Sequence, residues 1–309
     1  MNKITIIGAG RVGEFTAQFL AARDMCREIE LLDIHEGTAE GAALDIQAVA
    51  PVFNYDTHLK GGNDYAMMKD SELIIITAGL PRKPGMSRSD VLSSNIPIIN
   101  GIIESTIKYA PDALLLFVTN PVDVITYHAF IKTGWPRNRV FGQAGVLDSS
   151  RMASFISMET GYSTIDINAM VLGGHGDTMV PMIRYTTISG IPVSNFISLD
   201  RLEKIVERTR QAGAEVLKLR QTSSAYDAPA ASVAEMVDAI VHNRHRILPT
   251  VCILEGEYGQ EDIAIGVPAV LGKDGMEKII QLDMNDEERA MFDHSASLVR
   301  KDLELLKSM

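Results

Sequence analysis

Three closely spaced glycines near the N-terminus have the spacing of a phosphate-binding loop. Gly8, Gly10 and Gly13 follow the β-branched run 4–7, and a helical pattern extends from 11 to about 22. In such a turn the first glycine permits the tight bend, the second lets the backbone approach a pyrophosphate, and the third lets the helix pack on the strand. The N-terminal amides of the helix then point at the phosphates. A glycine-rich turn without a ligand is the alternative, but the full pattern predicts binding by Gly8, Ala9, Gly10, Arg11, Val12 and Gly13.

An acidic residue further along supports a dinucleotide site. Asp33 lies twenty positions after Gly13, at the end of the strand-like run 29–32. A carboxylate there accepts hydrogen bonds from the ribose hydroxyls of NAD, whereas the 2′-phosphate of NADP would meet like charge. The residues that follow include no Arg or Lys to offset that charge; they are Ile34, His35 and Glu36. Asp33 could instead cap a turn at a strand end, but its spacing favours NAD as the cofactor.

Two segments that leave strand-like runs carry polar groups suited to a ligand. The segment 77–88 contains Arg82, Lys83 and Arg88 between Pro and Gly residues. This composition suits a lid with arginines whose hinges absorb backbone rotation, and it equally suits a solvated basic loop. In the second segment Asn120 offers both a donor and an acceptor to a nicotinamide or a substrate. Asn120 precedes Pro121, so a role as a turn former is also open.

Two further segments hold a histidine, a carboxylate and an arginine. Asp148 opens a helical pattern, where a helix N-cap is its first interpretation, and Arg151 one turn later could be a surface cation. His175 is flanked by three glycines in the segment 173–176 and follows a strand-like run. The glycines leave room for a substrate beside the ring. By itself this surrounding is a modest indication, because most histidines are structural.

The elements that must position these residues alternate between strand and helix in the first half. Strand-like runs at 4–7, 29–32, 57–59, 72–77, 113–118 and 140–141 enclose helical patterns at 11–22, 38–48, 89–109 and 122–133. This alternation predicts an α/β fold, with a Rossmann-type doubly wound parallel sheet and right-handed crossovers.

The pattern changes after about residue 146. Helical patterns at 149–160, 199–219, 232–243 and 286–307 are mixed with strand-like runs at 165–172, 250–254 and 264–271 and hairpin-like segments at 184–192. We therefore predict an NAD-binding domain over 1–145 and an α+β catalytic and substrate domain over 146–309, with no linker between them. Ligands of such sheets bind beyond the carboxyl ends of the strands, so a cleft between the two halves is expected.

The composition excludes several other classes. The chain has 309 residues, 46% of them hydrophobic, and a formal net charge of −11. Such acidity argues against binding to nucleic acid or to anionic membranes, and requires any site for an anionic substrate to be a local arginine cluster. The two cysteines, Cys26 and Cys252, have no metal-ligand spacing, so no metal and a reduced, intracellular protein are expected. We also expect no signal peptide and no membrane span, because the first apolar run belongs to the glycine-loop strand.

Over nearly its full length the chain resembles the lactate/malate dehydrogenase family. Five motifs in the order and approximate spacing of that family carry the resemblance: GAGRVG at 8–13, TAGLPRKPGMSR at 77–88, VTNPVD at 118–123, GVLDSSR at 145–151 and GGHGD at 173–177. Within the family, the lid position of Arg82 is a glutamine in the lactate enzymes. Arg82 therefore favours the malate enzymes that are built like lactate dehydrogenases.

The resemblance implies a role for each polar residue. His175 would be the proton donor and acceptor, and Asp148 would hold one of its ring nitrogens. Arg151 would pair with the first substrate carboxylate, and Arg88 would polarise the carbonyl. The remaining roles are the second carboxylate for Arg82, orientation of the substrate for Asn120, and further cofactor contacts for Asn95, Val118, Thr119 and Asn120.

The activity implied is the reversible NAD-dependent oxidation of (S)-malate to oxaloacetate, a small dicarboxylate pair. The alternatives are L-lactate or another 2-hydroxy acid and, in a different class, a non-catalytic NAD-binding regulator that would not need Asp148, Arg151 and His175 together. The resemblance also implies a cytoplasmic homo-oligomer, a dimer or tetramer, acting in the tricarboxylic acid cycle. One departure is visible: the family's Gly-Ser-Ala-Tyr-Tyr run is Ser-Ser-Ala-Tyr-Asp at 223–227, which leaves the effect of Ser223 and Asp227 on substrate affinity open.

Overall fold

The first half of the chain alternates strands and helices as its pattern predicts. The computed structural model describes residues 1–80 and 88–308. The elements of the first half are β1 (Lys3–Ile7), α1 (Arg11–Ala22), β2 (Glu28–Leu32), α2 (Glu36–Phe53), β3 (His58–Gly62), β4 (Leu73–Ile76), α3 (Arg88–Tyr109), β5 (Leu114–Phe117), α4 (Val122–Thr133) and β6 (Val140–Gln143).

The second half is mixed. Its elements are α5 (Gly145–Thr160), β7 (Ile167–Asn168), β8 (Val171–Leu172), β9 (Val180–Pro181), β10 (Thr187–Ile188), β11 (Ile191–Pro192), α6 (Leu199–Arg220), α7 (Asp227–Val241), β12 (Arg246–Glu255), β13 (Glu261–Gly272), β14 (Gly275–Ile279) and α8 (Asp286–Lys307).

A single nine-stranded sheet joins the two halves. Its order is β14-β13-β12-β6-β5-β4-β1-β2-β3. The six strands of the first half pair in parallel, in the order of a dinucleotide-binding sheet, and β12 to β14 extend the sheet with antiparallel pairs. The predicted doubly wound sheet with a C-terminal α/β region is confirmed. The sequence did not indicate that strands of the second half would continue the first sheet.

Continuous apolar strands place the core at the centre of this sheet. Every residue of β4 (LIII) and of β5 (LLLF) is buried. Strands with this composition are covered by helices on both faces, unlike strands that alternate apolar and polar residues. Because β5, β4 and β1 are neighbours, the loops after their carboxyl ends lie side by side, and these loops contain the polar residues of interest.

Several local predictions differ from the structure. The helix predicted over 38–48 extends to Phe53, and the strand predicted over 250–254 begins at Arg246. The predicted strand 165–172 is broken: β7 pairs with β10, and β8 pairs with β9. The helix predicted over 232–243 begins at Asp227, because Pro229 falls in its first turn, where a missing N–H costs no intrahelical hydrogen bond. The helix predicted to start at Ser149 begins at Gly145.

Neither cysteine is placed for chemistry at the protein surface. Cys26 and Cys252 are free and buried. Burial raises the pKa of the Cys26 thiol to about 12 and raises that of Cys252 further. Thiols without a thiolate population are structural rather than reactive. In the described ranges, no helix combines the length and apolar character needed to cross a bilayer.

Candidate active site

The glycine loop between β1 and α1 has the shape that its sequence predicts. A Cβ added to Gly13 would lie 1.8 Å from the carbonyl oxygen of Gly8, so the close packing of α1 on β1 excludes any larger residue there. Gly10 is different, because a Cβ added to it would meet no described atom within 4 Å. Gly10 is also the N-cap of α1, and no described side chain caps the helix. The N-terminal amides therefore face open space suited to an anion.

Asp33 holds the glycine loop against the end of β2. Its Oδ2 accepts a hydrogen bond of 2.8 Å from the main-chain N of Ala9, and its Oδ1 accepts one of 3.0 Å from the N of His35. The carboxylate thus supports the loop directly. Each oxygen keeps a further lone pair that can accept from a ligand hydroxyl.

A cavity of about 820 Å³ extends from the glycine loop to His175. Its walls come from the loops after β1, β4 and β5, from residues 173–178 (the histidine loop), and from α6, α8 and the segment between α6 and α7. Of the residues predicted for the site, those lining it are Gly10, Arg11, Val12, Gly13, Asn95, Val118, Thr119, Asn120 and His175. Gly8, Ala9, Asp33, Asp148 and Arg151 are not in the lining. Asp148 bonds the lining residue His175, whereas the bonds of Asp33 go to Ala9 and His35, and that of Arg151 goes to Asp148.

Asn95 ties two of these loops together. It is buried on α3, its Nδ2 donates to the main-chain oxygen of Asn120 at 2.9 Å, and its Oδ1 accepts from the N of Leu80 at 2.7 Å. Thr119 adds a second link, because its hydroxyl donates to the oxygen of Ala78 at 2.7 Å. Asn95 is thus a structural tie as well as a lining residue.

The histidine, aspartate and arginine of the sequence motifs meet behind this cavity. The Nδ1 of His175 lies 2.9 Å from Oδ2 of Asp148, and Oδ1 of Asp148 accepts from Nη1 of Arg151 at 3.3 Å. The side chain of Asp148 is 2% exposed, and that of His175 is 18% exposed. The interpretation of Asp148 as a helix N-cap is wrong, because Ala144 is the N-cap of α5. Asp148 lies within the first turn, turned toward the ring.

Electrostatics favour the protonated form of His175. Burial lowers the pKa of the ring, but the carboxylates of Asp148 and Asp123 together outweigh that effect, and the net pKa of His175 is raised above its ordinary value. Burial lowers the pKa of Arg151, partly offset by Asp148. With Nδ1 held by Asp148, Nε2 is the ring nitrogen that can exchange a proton with a ligand.

Sequence reasoning missed two side chains that hold the histidine loop. Asp123, at the start of α4, accepts the main-chain N–H of His175 through Oδ2 at 3.0 Å, and Ser295 on α8 accepts that of Gly174 at 2.9 Å. Asp123 belongs to the VTNPVD motif, but an acidic residue in a first helical turn ordinarily complements the helix dipole. Ser295 carries no sequence signal.

The segment that departs from the family pattern packs on the glycine loop. The ring of Tyr226 is close to two cations: its centroid is 5.4 Å from the guanidinium carbon of Arg11 and 4.1 Å from that of Arg220. Asp227 pairs with Arg220 at 2.8 Å. Ser223, Ser224 and Tyr226 line the cavity, whereas Asp227 does not.

The structure describes only part of the cationic segment 77–88. Arg82 lies outside the described residues, and of Arg88 only the backbone, at the first position of α3, is described. Their predicted roles therefore stay predictions. Within 1–80 and 88–308, no group of three or more His, Cys, Asp or Glu residues could hold a metal ion.

Two family profiles cover the chain almost end to end. The NAD binding domain of lactate/malate dehydrogenase matches residues 2–142, and the α/β C-terminal domain of the same family matches residues 145–309. The chain belongs to the lactate/malate dehydrogenase family.

Individual relatives of the chain include both malate and lactate dehydrogenases. A curated protein named malate dehydrogenase from Thioalkalivibrio sulfidiphilus is 64% identical over 307 residues, which are 99% of this chain and 100% of the relative. The solved malate dehydrogenase of Salinibacter ruber is 44% identical, with a TM-score of 0.95 over 99% of this chain and 98% of that one. The lactate dehydrogenase of Cryptosporidium parvum, solved with lactic acid and nicotinamide adenine dinucleotide, is 36% identical, with a TM-score of 0.96 over 100% and 98%.

Proposed function

We propose that this protein catalyses the reversible NAD-dependent oxidation of (S)-malate to oxaloacetate. The observation that carries the proposal is the His175–Asp148 pair at 2.9 Å, at one end of a cavity whose other end is the glycine loop. A non-catalytic NAD-binding protein has no need of this pair. The 64% identity to a named malate dehydrogenase supports the substrate, whereas the close match to a lactate dehydrogenase indicates that the fold alone does not select it.

The glycine loop fits the dinucleotide that the family profile implies. The open space over Gly10 and the uncapped amides of α1 suit a pyrophosphate, and Asp33 beside the loop suits ribose hydroxyls. NAD, when bound, supplies the site that accepts and returns the hydride. The residues proposed to hold it are the glycine loop 8–13, Asp33, Asn95, Val118, Thr119 and Asn120.

The chain itself supplies proton transfer and orientation. In oxidation, Nε2 of His175 takes the proton of the substrate hydroxyl, and in reduction it returns that proton to the developing alkoxide. Asp148 holds Nδ1 and stabilises the imidazolium that forms. Burial lowers the pKa of His175, but the carboxylates of Asp148 and Asp123 raise it overall, which favours the imidazolium that forms when the ring takes the proton.

Arginines are proposed to read the substrate. Arg151 pairs with the carboxylate next to the reacting carbon, and Arg88 stabilises charge on the reacting oxygen. Arg82 pairs with the distal carboxylate, and Asn120 orients the substrate beside the nicotinamide. Among these, the position of Arg151 next to Asp148 is the one supported by described side chains.

A direct assay tests the proposed activity. The purified protein should oxidise NADH with oxaloacetate at a kcat/KM at least about a hundredfold above that with pyruvate, since one unpaired buried charge costs about 3–5 kcal/mol. His175→Asn serves as the inactive control. A preference for pyruvate would make the protein a lactate-type enzyme. No turnover with any 2-oxo acid would reject the proposal.

Gly10→Ala is expected to fold normally but to lose cofactor affinity. The added methyl group meets no described protein atom, yet it occupies the space proposed for the pyrophosphate. Overpacking of this kind costs about 1–3 kcal/mol, so the Kd for NADH should rise roughly tenfold or more. Fluorescence titration measures the Kd, and thermal unfolding checks the fold. The matched control is Gly101→Ala on α3, where a Cβ also meets no described atom within 4 Å; an unchanged Kd in Gly10→Ala would place the pyrophosphate elsewhere.

Asp33→Ser is expected to weaken NADH binding and to relax the bias against NADPH. The ribose acceptor and the like-charge barrier to a 2′-phosphate disappear together. The ratio of kcat/KM for NADH to that for NADPH is the measurement. Asp33→Asn, which keeps one acceptor oxygen for Ala9 or His35, separates lost charge from lost support of the loop. If the ratio of kcat/KM for NADH to that for NADPH is unchanged in both variants, Asp33 does not bind the ribose.

The proposal extends to the domain boundary, the oligomeric state and the location of the protein. We place the domain boundary between 145 and 146, with an NAD-binding domain before it and a catalytic domain after it. The matches of the two family profiles, to 2–142 and 145–309, support this division. We also propose a cytoplasmic homo-oligomer, dimeric or tetrameric, that acts in the tricarboxylic acid cycle.

A further inference from the structure

Asp123 is a buried carboxylate with a direct bond to the histidine loop. It is the second residue of α4 and is 6% exposed. Its Oδ2 accepts the main-chain N–H of His175 at 3.0 Å, while its Oδ1 is buried and has no hydrogen-bond partner among the described residues. Asp123 and His175 both line the cavity. A buried carboxylate with one unpaired oxygen is costly to keep, which calls for a function beyond packing.

Two carboxylates therefore act on one histidine. Asp148 contacts the ring at Nδ1, and Asp123 contacts the backbone of the same residue. A negative charge near an imidazole favours its protonated form. Both carboxylates raise the pKa of His175, against burial, which lowers it. Burial raises the pKa of Asp123 itself to about 6, although the amide and charge of His175 act to lower it. Asp123 is thus mainly ionised at neutral pH.

The other charged groups near the ring come from three elements. On α5, Asp148 attracts the imidazolium and Arg151 opposes it. On α8, the charged residue is Asp302, which lines the same cavity. The histidine loop itself carries Asp177. Asp123 differs from the others in contacting the main chain of His175, so it acts on both position and charge.

We propose that Asp123 is a positioning residue for proton transfer, which anchors the backbone of His175 and adds a second negative charge that stabilises the imidazolium. This inference rests on the proposed function, in which His175 carries the proton. The competing role is helix stabilisation, because a carboxylate in a first helical turn complements the dipole of α4. Helix stabilisation alone predicts a change in Tm but no change in the titration of His175.

The first experiment measures the pKa of His175 directly. NMR titration of the cofactor-free protein follows its seven histidines, and the signal lost in His175→Asn identifies the ring. Asp123→Asn keeps an acceptor oxygen but removes the charge, so the pKa of His175 should fall by on the order of one unit. The control is Glu104→Gln, which removes a charge from an exposed pair with Lys132 on α4 and should leave the pKa unchanged. An unchanged pKa in Asp123→Asn would overturn the charge role.

The second experiment follows the pH dependence of turnover. Oxidation of malate needs neutral His175, so the acid limb of kcat/KM should move to lower pH in Asp123→Asn. Reduction of oxaloacetate needs the imidazolium, so the alkaline limb should also move to lower pH. Both limbs move in one direction because removal of a negative charge lowers the pKa of the imidazolium. A profile equal to that of the parent would contradict the proposal.

A second variant tests the position of His175 separately from the charge of Asp123. It also keeps the proposal testable if Asp123→Asn does not fold. Asp123→Glu keeps the charge but moves the acceptor by one methylene. The pKa of His175 should stay close to that of the parent, while kcat falls about tenfold to a hundredfold, with a smaller change in KM, because the ring is displaced. Parental kcat in Asp123→Glu would overturn the anchoring role.

The two proposals can fail separately. If the parent protein turns over neither oxaloacetate nor pyruvate, the proposed function is rejected, and the NMR titration still decides whether Asp123 acts on His175. If the parent is active and Asp123→Asn leaves the pKa of His175 unchanged, the charge role of Asp123 is rejected while the proposed function is retained.

Discussion

His175→Asn is expected to abolish most turnover while leaving the fold and NADH binding close to those of the parent. Asparagine preserves a polar side chain beside Asp148 but cannot carry a proton at neutral pH. General acid–base catalysis contributes typically about 10²–10⁴-fold, and kcat should fall by that factor in both directions. The raised pKa of His175 means that reduction, which needs the imidazolium, loses activity as the pH rises through that pKa.

Three measurements separate this outcome from misfolding. Thermal unfolding and the Kd for NADH report on the fold and the cofactor site, and single-turnover kinetics report on the chemical step. His128→Asn is a matched control, because His128 is bonded to Asn100 on the α3–α4 face and lies outside the lining of the large cavity. Near-parental turnover in His175→Asn would remove the assignment of His175 as proton carrier.

Arg82→Gln is expected to shift the preference from oxaloacetate toward pyruvate. Arg82 lies outside the described residues, so this prediction rests on its place in the cationic segment 77–88 and on the family resemblance. In a closed site the distal carboxylate of oxaloacetate would lose its partner, at a cost on the order of 3–5 kcal/mol. The kcat/KM for oxaloacetate should therefore fall by roughly two to four orders of magnitude. Pyruvate has only a methyl group at this position, so in the parent protein it leaves the Arg82 cation without a partner. Its kcat/KM should therefore rise in the variant.

The ratio of the two kcat/KM values is the decisive quantity. Arg23→Gln, which alters a half-exposed arginine near the end of α1, controls for the loss of one positive charge. The segment 77–88 carries Lys83 and Arg88 besides Arg82, so the direction of the shift matters more than a full reversal. If Arg82→Gln leaves the ratio within about twofold of the parent, which is under half a kcal/mol, Arg82 does not read the distal carboxylate.

Local patterns determined much of the framework before any tertiary contact was known. The helices α1, α4 and α8 have the predicted bounds, because each has clear sequence limits: glycines before α1, Pro121 before α4 and the capping box of Asn285 and Glu288 in α8. The glycine loop was predictable for the same reason. The shape of the loop depends on steric limits at single positions. The close approach of Gly13 to the carbonyl of Gly8 joins residues five positions apart, so a local sequence pattern can specify it.

Only the tertiary structure decided which side chains surround the histidine. Asp148, Asp123 and Ser295 are 27, 52 and 121 positions from the residues that they hold. No local period encodes such distances; they depend on α4, α5 and α8 converging on one loop. For the same reason the residues next to Asp148 in the sequence suggested only a helix cap. The family resemblance alone paired Asp148 with His175, as the structure does, and Asp123 was given no role.

In the sheet, too, the sequence determined one part of the strand order and the tertiary structure determined the rest. The apolar runs of β1 to β6 and their alternation with helices determined a parallel, doubly wound order, because right-handed crossovers leave few other arrangements. The attachment of β12 to β6 was not determined in this way. Thr250 and Val251 pair with Gln143 and Gly142 across more than a hundred residues of intervening chain. Backbone pairing of that kind depends on two sheet edges meeting after the helices have packed, and side-chain sequence alone does not specify it.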